Sequence, residues 1–125
     1  MHAEEIGALV IDSAMKVHSA LGPGLLESAY RACLAHELEM RGLDVIQEKP
    51  LPIHYKGAEI SVGYRIDLVI NQKVIVELKA VERLLPIHTA QVPSYLKLSG
   101  CKLGFLINFN VLHLKDGIKR VVNGL

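Results

Sequence analysis

The chain has 125 residues, half of them hydrophobic, and a formal net charge of +1. That length suits one domain with one core, and the near-neutral charge argues against a strongly basic nucleic-acid coat while leaving room for a local basic groove. No apolar run reaches the roughly 18 residues a bilayer span needs, and with no Trp and only six aromatic residues a platform for stacking many bases is not expected.

The opening segment carries Glu4 and Glu5 and no cleavage signal, so a secretory leader is not expected. Ile6, Leu9, Val10, Ser13 or Ala14, Val17 and Leu21 recur at spacings of three and four, which predicts an amphipathic helix over residues 4–20. Gly22-Pro23-Gly24 breaks it. A second helix is predicted from about Leu25, with Leu26, Ala29, Tyr30, Cys33, Leu34 and Leu38 on one side. Arg41 and Gly42 supply a cation in the last turn and a left-handed cap. Cys33 and Cys101 form no CxxC pair, so both are expected to be packed thiols in a reducing, cytoplasmic setting.

From Leu43 the period changes. Residues 43–55 read as extended, and Pro50 and Pro52 confine that segment to a sheet edge or an irregular strand. Lys56-Gly57 signals a turn, giving a possible hairpin over residues 51–63. "GYRIDLVI" is predicted as a strand, "NQK" as a turn and "VIVELKA" as the next strand, paired antiparallel to the first. Residues 87–99 read as a helix closed by Gly100, and "KLGFLINF" as a buried strand. Asp116-Gly117 signals a hairpin near the C-terminus. Two helices, several strands, a helix and more strands predict an α/β (α+β) domain with a mixed sheet.

Charges interrupt two of the most apolar runs. Side chains alternate faces along a strand, so Glu77 and Lys79 share a face with Ile75, and Asp67 shares one with Arg65 and Val69. Nine residues separate Asp67 from Glu77, and a turn at 71–73 makes them near cross-strand neighbours. Facing carboxylates repel. They are tolerated if they share a proton, hold a cation between them or bind a divalent metal, and hard oxygen donors suit magnesium or manganese. Two carboxylates, such a metal and the Lys79 amine are the parts for phosphodiester hydrolysis. The alternative is an exposed Glu-x-Lys pair with a surface Asp held by an arginine, for which Arg65 is the neighbour. The six histidines show no metal-ligand spacing, and His18, His88 and His113 are expected to be packed or surface residues.

Asp67 followed by Glu77-Leu78-Lys79 resembles the D…(D/E)xK core of the PD-(D/E)xK nuclease superfamily. Gly24-Leu25-Leu26-Glu27-Ser28-Ala29-Tyr30 resembles the GxxExxY motif that names a small prokaryotic branch. The similarity runs from "HSALGPGLLESAY" through "VELKAVERLLPIHTAQ" to "GFLINFN". It implies a restriction-endonuclease-like αβββαβ core. It also implies a divalent ion, Mg2+ or Mn2+, on Asp67, Glu77 and the backbone carbonyl of Leu78, with Lys79 as the catalytic lysine. Glu27 and Gln91 occupy positions that join the site in many members, with Tyr95 one turn beyond Gln91. Ile66 departs from the motif by standing where the superfamily name has proline. Read from the residues alone, Glu27 also suits the positive end of a helix, Tyr30 a packed core position, and Gln91 a solvated helix position whose direction depends on Pro93.

Three functions are open at this point. One is a metal-dependent nuclease acting on DNA or RNA. Another is a silent nuclease-fold module that binds nucleic acid or a partner protein, for which Lys97, Lys102, Lys115, Lys119 and Arg120 could track phosphates or simply confer solubility. The last is a self-associating component. A twofold homodimer is expected for an enzyme that cuts both strands of a duplex.

Overall fold

The computed structural model describes residues 1–125. Helix α1 spans Ala3–Leu21 and buries Ile6, Val10, Ala14 and Val17, the stripe that the spacing predicts. Helix α2 spans Glu27–Met40 and buries Tyr30, Leu34, Ala35 and Leu38. Gly42 closes α2 with φ +83°, and the Leu43 N–H donates to the Leu38 carbonyl at 3.2 Å.

Strands β1 (Val45–Pro50), β4 (Arg65–Ile70), β5 (Val74–Lys79), β6 (Leu103–Asn108) and β7 (Ile118–Val122) form one sheet in the order β1-β4-β5-β6-β7. The pair β5–β6 is parallel and the other pairs are antiparallel. Helix α3 (Pro86–Ser99) makes the crossover that a parallel pair requires. Strands β2 (Ile53–Tyr55) and β3 (Ala58–Ile60) form a separate hairpin, turning at Lys56-Gly57. The proline-bearing β1 lies at the sheet edge, where a missing donor costs least. The segments α2, β1, β4, β5, α3 and β6 give the expected αβββαβ order.

Alternation divides the core between the two faces of the sheet. Leu68, Val76, Leu78 and Phe105 pack with Ile6, Val10 and Leu34 of α1 and α2. Val69, Ile75 and Leu106 pack with Val92, Tyr95 and Leu96 of α3. Gly104 lets α3 sit close to the sheet, because a Cβ there would come within 2.8 Å of the Ile75 and Val92 side chains.

Two expectations are corrected. Asp116-Gly117 is not a hairpin turn but the end of a 3-10 turn, Leu114–Gly117, leading into β7. Glycine is needed there for space, since a Cβ on Gly117 would lie 2.2 Å from the Asn108 carbonyl oxygen. Cys33 is exposed, because the buried stripe of α2 is narrower than the sequence suggests; Cys101 is buried. The third helix forms as expected, from Pro86, which needs no amide partner in the first turn, to Ser99 before Gly100, so Gln91 lies inside the helix and before Pro93.

Candidate active site

Strands β4 and β5 pair only over Leu68–Ile70 and Val74–Val76, around a turn where Asn71 and Gln72 both have positive φ. Beyond Leu68 and Val76 the strands fork. Asp67 and Glu77 face each other in the fork and fill the place of the missing ladder. The Asp67 N–H donates to Glu77 Oε1 at 3.0 Å, and the Leu78 N–H donates to Asp67 Oδ2 at 2.8 Å. Each carboxylate therefore spends one oxygen on a backbone donor, while Asp67 Oδ1 and Glu77 Oε2 accept from no protein donor. The charges of the pair act on Tyr95 of α3 and on Glu27 of α2, so the fork opens between the two helical layers rather than onto one face of the sheet.

Glu77 is 4% exposed. Burial, and then the Asp67 charge, push its carboxyl up to about 8. Burial also raises Asp67, against the opposing pull of the Leu78 N–H and the Lys79 and Arg31 charges. At neutral pH the metal-free pair holds a proton, which relieves the repulsion of two facing carboxylates.

Lys79 ends β5 half-buried and makes no ion pair, although its charge acts on Asp67, Glu77 and Glu27. Its ammonium is free of ion pairs, and its charge lowers both acids of the fork. Glu27 occupies the first position of α2, half-buried, with its carboxyl raised by burial and by Asp67. It thus combines a helix-dipole position with a place beside the fork. No three His, Cys, Asp or Glu side chains come together as a metal cluster, so Glu27 stands off from the pair. Gln91 Oε1 is buried without a hydrogen-bond partner. Tyr95, one turn on, has its phenol raised by burial and then by the Glu77 and Asp67 charges.

The geometry also differs from expectation in which cation attends the acids. Arg65 is exposed at the start of β4 and forms no ion pair. Arg31, on α2 one turn beyond Glu27, approaches Glu48 at 3.7 Å, and its charge acts on Glu27 and Asp67. Glu48 stands across from Asp67, between the Gln47–Leu68 and Lys49–Ile66 pairs, with a left-handed φ of +51°. A non-glycine residue in that region marks local strain. It coincides with a break in the alternation of β4, where Ile66 joins Val69 on the α3 side.

A model of the PD-(D/E)XK nuclease superfamily matches residues 4–121. The chain belongs to that superfamily. Its mixed α/β architecture is that of a restriction-endonuclease-like fold. Neither a curated protein nor a solved structure matches the chain. Nucleases of this superfamily generally use divalent metals and act on nucleic acid.

The fork fits such an ion. Its donors are hard oxygens, two of them free of protein hydrogen bonds. The N–H and C=O of one strand residue point to the same edge, so the Leu78 carbonyl faces β4 as its N–H does. Magnesium characteristically takes one or two carboxylates and keeps several waters, so a third acidic side chain is not required.

Two supports hold the flanks of the site: Tyr30, in the packed core position expected of it, and Asn108, which the sequence did not single out. Tyr30 is fully buried; its hydroxyl donates to the Gly22 carbonyl at 2.5 Å and accepts from the Leu25 N–H at 3.1 Å. Its ring stacks on Phe109, with centroids 4.6 Å apart. The loop before Glu27 is thereby pinned at both ends. Asn108, 2% exposed, accepts from the Val81 N–H at 3.1 Å and donates to the Val81 carbonyl at 2.9 Å. Phe109 N–H donates to the Lys79 carbonyl at 2.9 Å. Together these bonds fix the chain where it leaves β5, on both sides of Ala80. Side-chain clamps of this kind leave no periodic signal. The histidines are structural or exposed: His18 bonds the Val111 carbonyl at 2.8 Å, His88 Nδ1 accepts from the Leu85 N–H at 3.0 Å, and His113 is exposed.

Proposed function

We propose that the protein is a divalent-metal-dependent nuclease of the GxxExxY branch that hydrolyses phosphodiester bonds, DNA ahead of RNA. The observation that carries this reading is the fork: a buried and a half-buried carboxylate facing each other beside an unpaired lysine. Asp67 and Glu77 would hold Mg2+ or Mn2+, with the Leu78 carbonyl alongside. Bound, the ion would polarise a phosphoryl oxygen and make water easier to deprotonate. Lys79 orients the attacking water and stabilises negative charge building on the phosphoryl oxygens. Glu27, whose carboxyl feels both Asp67 and Lys79, would shape the shell of the ion or hold a second one, and Gln91 offers an amide to the substrate.

Lys79→Ala tests the assignment. With Mn2+ present, cleavage of linear, circular and single-stranded nucleic acid should vanish, while the melting temperature stays within a few degrees, since no ion pair is lost. Cleavage at the wild-type rate in this variant contradicts the role. The second reading is a catalytically silent module that binds nucleic acid or a partner protein. In that case Mn2+ fails to bind. As a nuclease the protein would act in the cytoplasm as a twofold homodimer, which sedimentation equilibrium checks by mass.

A further inference from the structure

The α3 face of the sheet carries a second feature next to the fork. A groove of about 470 Å3 lies between α3 and the β2–β3 hairpin, lined by Ile53, Tyr64, Ile87, Gln91, Ser94 and Tyr95 among others. None of its lining side chains is charged. Helix α3 contains no Asp or Glu along its whole length, and the charges of the fork pair reach its Tyr95. Tyr95 links the two features. It lines the groove and also packs in the buried cluster of Ile75, the residue two before Glu77.

Three properties of the groove match one ligand. Tyr64 is 48% exposed and tilts against Tyr95 with ring centroids 6.4 Å apart, so an aromatic ring stands open to solvent in the wall. Ile87, 66% exposed, adds an apolar surface from α3. Gln91 brings a buried amide oxygen that lacks a donor, and the exocyclic amino group of a base is such a donor. A flat, apolar, edge-polar ring on a polyanionic strand satisfies all three, and an acid-free wall does not repel its phosphates.

We propose that this groove takes one unpaired nucleobase of the strand whose adjoining phosphodiester lies at the Asp67–Glu77 fork. The inference rests on the nuclease reading and narrows it: the substrate is single-stranded, or end-frayed, nucleic acid. A base inside a duplex has both ring faces covered by its neighbours and reaches the groove only by leaving the stack. The scarcity of aromatic residues is compatible with this, since one base needs one ring.

The test uses a single-stranded oligonucleotide carrying 2-aminopurine, whose fluorescence falls on stacking, with Ca2+ replacing Mg2+ in the binding assay. Wild type should quench the fluorophore and bind the single strand at least tenfold tighter than the same sequence as a duplex. Tyr64→Ala should abolish the quench and weaken binding by about tenfold or more, the range of base–aromatic stacking. Tyr64→Phe should behave as wild type. Tyr64 is half-exposed, so the alanine variant should keep the wild-type melting temperature and Mn2+ affinity. Unchanged single-strand binding by Tyr64→Ala, or equal affinity for the duplex, overturns the assignment. So does loss of self-association in Tyr64→Ala with no change in oligonucleotide binding, which would make a second copy the occupant. Quenching without cleavage in Mn2+ supports the groove and overturns hydrolysis; cleavage indifferent to Tyr64 does the reverse.

Discussion

Replacing Glu77 by glutamine separates the electrostatics of the fork from its packing. The amide oxygen keeps the bond from the Asp67 N–H, and the amide nitrogen faces Asp67 as a donor in place of a repelling charge. In the wild type the Glu77 carboxyl stands at about 8, against an ordinary 4.5. A raised carboxyl binds its proton more tightly when folded, so the associated stability is fully present below pH 4.5 and is lost as pH climbs towards 8. Each pKa unit is worth about 1.36 kcal/mol, so metal-free wild type should lose about 4 kcal/mol between pH 5 and pH 8.5 from this group. For a chain of this size that is about 10–15 °C of melting temperature. Glu77→Gln removes the loss. With a chelator present it should melt within about 3 °C of wild type at pH 5 and about 10 °C or more above it at pH 8.5. Thermal denaturation followed by circular dichroism at the two pH values reads both numbers. A variant that melts at or below wild type at pH 8.5 would refute the claim that the fork strains to hold its second negative charge.

Two further substitutions test the supports of the site. Tyr30→Phe keeps the stack on Phe109 but frees the Gly22 carbonyl and the Leu25 N–H; it should cost about 1–2 kcal/mol and lower kcat while Mn2+ affinity holds, read by denaturant melts and by calorimetry. Asn108→Ala removes both bonds to Val81; it should cost about 2–3 kcal/mol in urea denaturation, and unchanged stability would show that the clamp does not hold the end of β5.

The sequence exposes the parts of this architecture that follow from periodicity. Spacings of three and four along Ile6–Val17 and alternation through "RIDLVI" and "VIVELKA" were sufficient to bring Asp67 and Glu77 onto neighbouring strands, because a short turn leaves few registers. What periodicity does not encode is departure from regular pairing. The fork arises because two carboxylates replace ladder partners, and an ordinary hairpin would carry the same alternation. Arg65 looked like the companion of Asp67 because it is two residues away in the same strand, yet it forms no ion pair, and the arginine whose charge reaches Asp67 is Arg31 of α2, paired with Glu48. Asp116-Gly117 has the composition of a turn and is used instead for a close backbone contact with Asn108. The roles of Tyr30 and Asn108 are set by contacts with Gly22 and Val81, eight and 27 residues away, which no local pattern announces.

The central claim is that Asp67 and Glu77 relieve their mutual repulsion by taking a hard dication. Isothermal titration of Mn2+ into wild type and into Asp67→Asn measures it directly. Wild type should bind with release of protons, more tightly at pH 8.5 than at pH 6.5 because the shared proton must leave, and Asp67→Asn should show no binding over the same range. A wild type that gives no binding heat at either pH, or an Asp67→Asn that binds as wild type does, would contradict it.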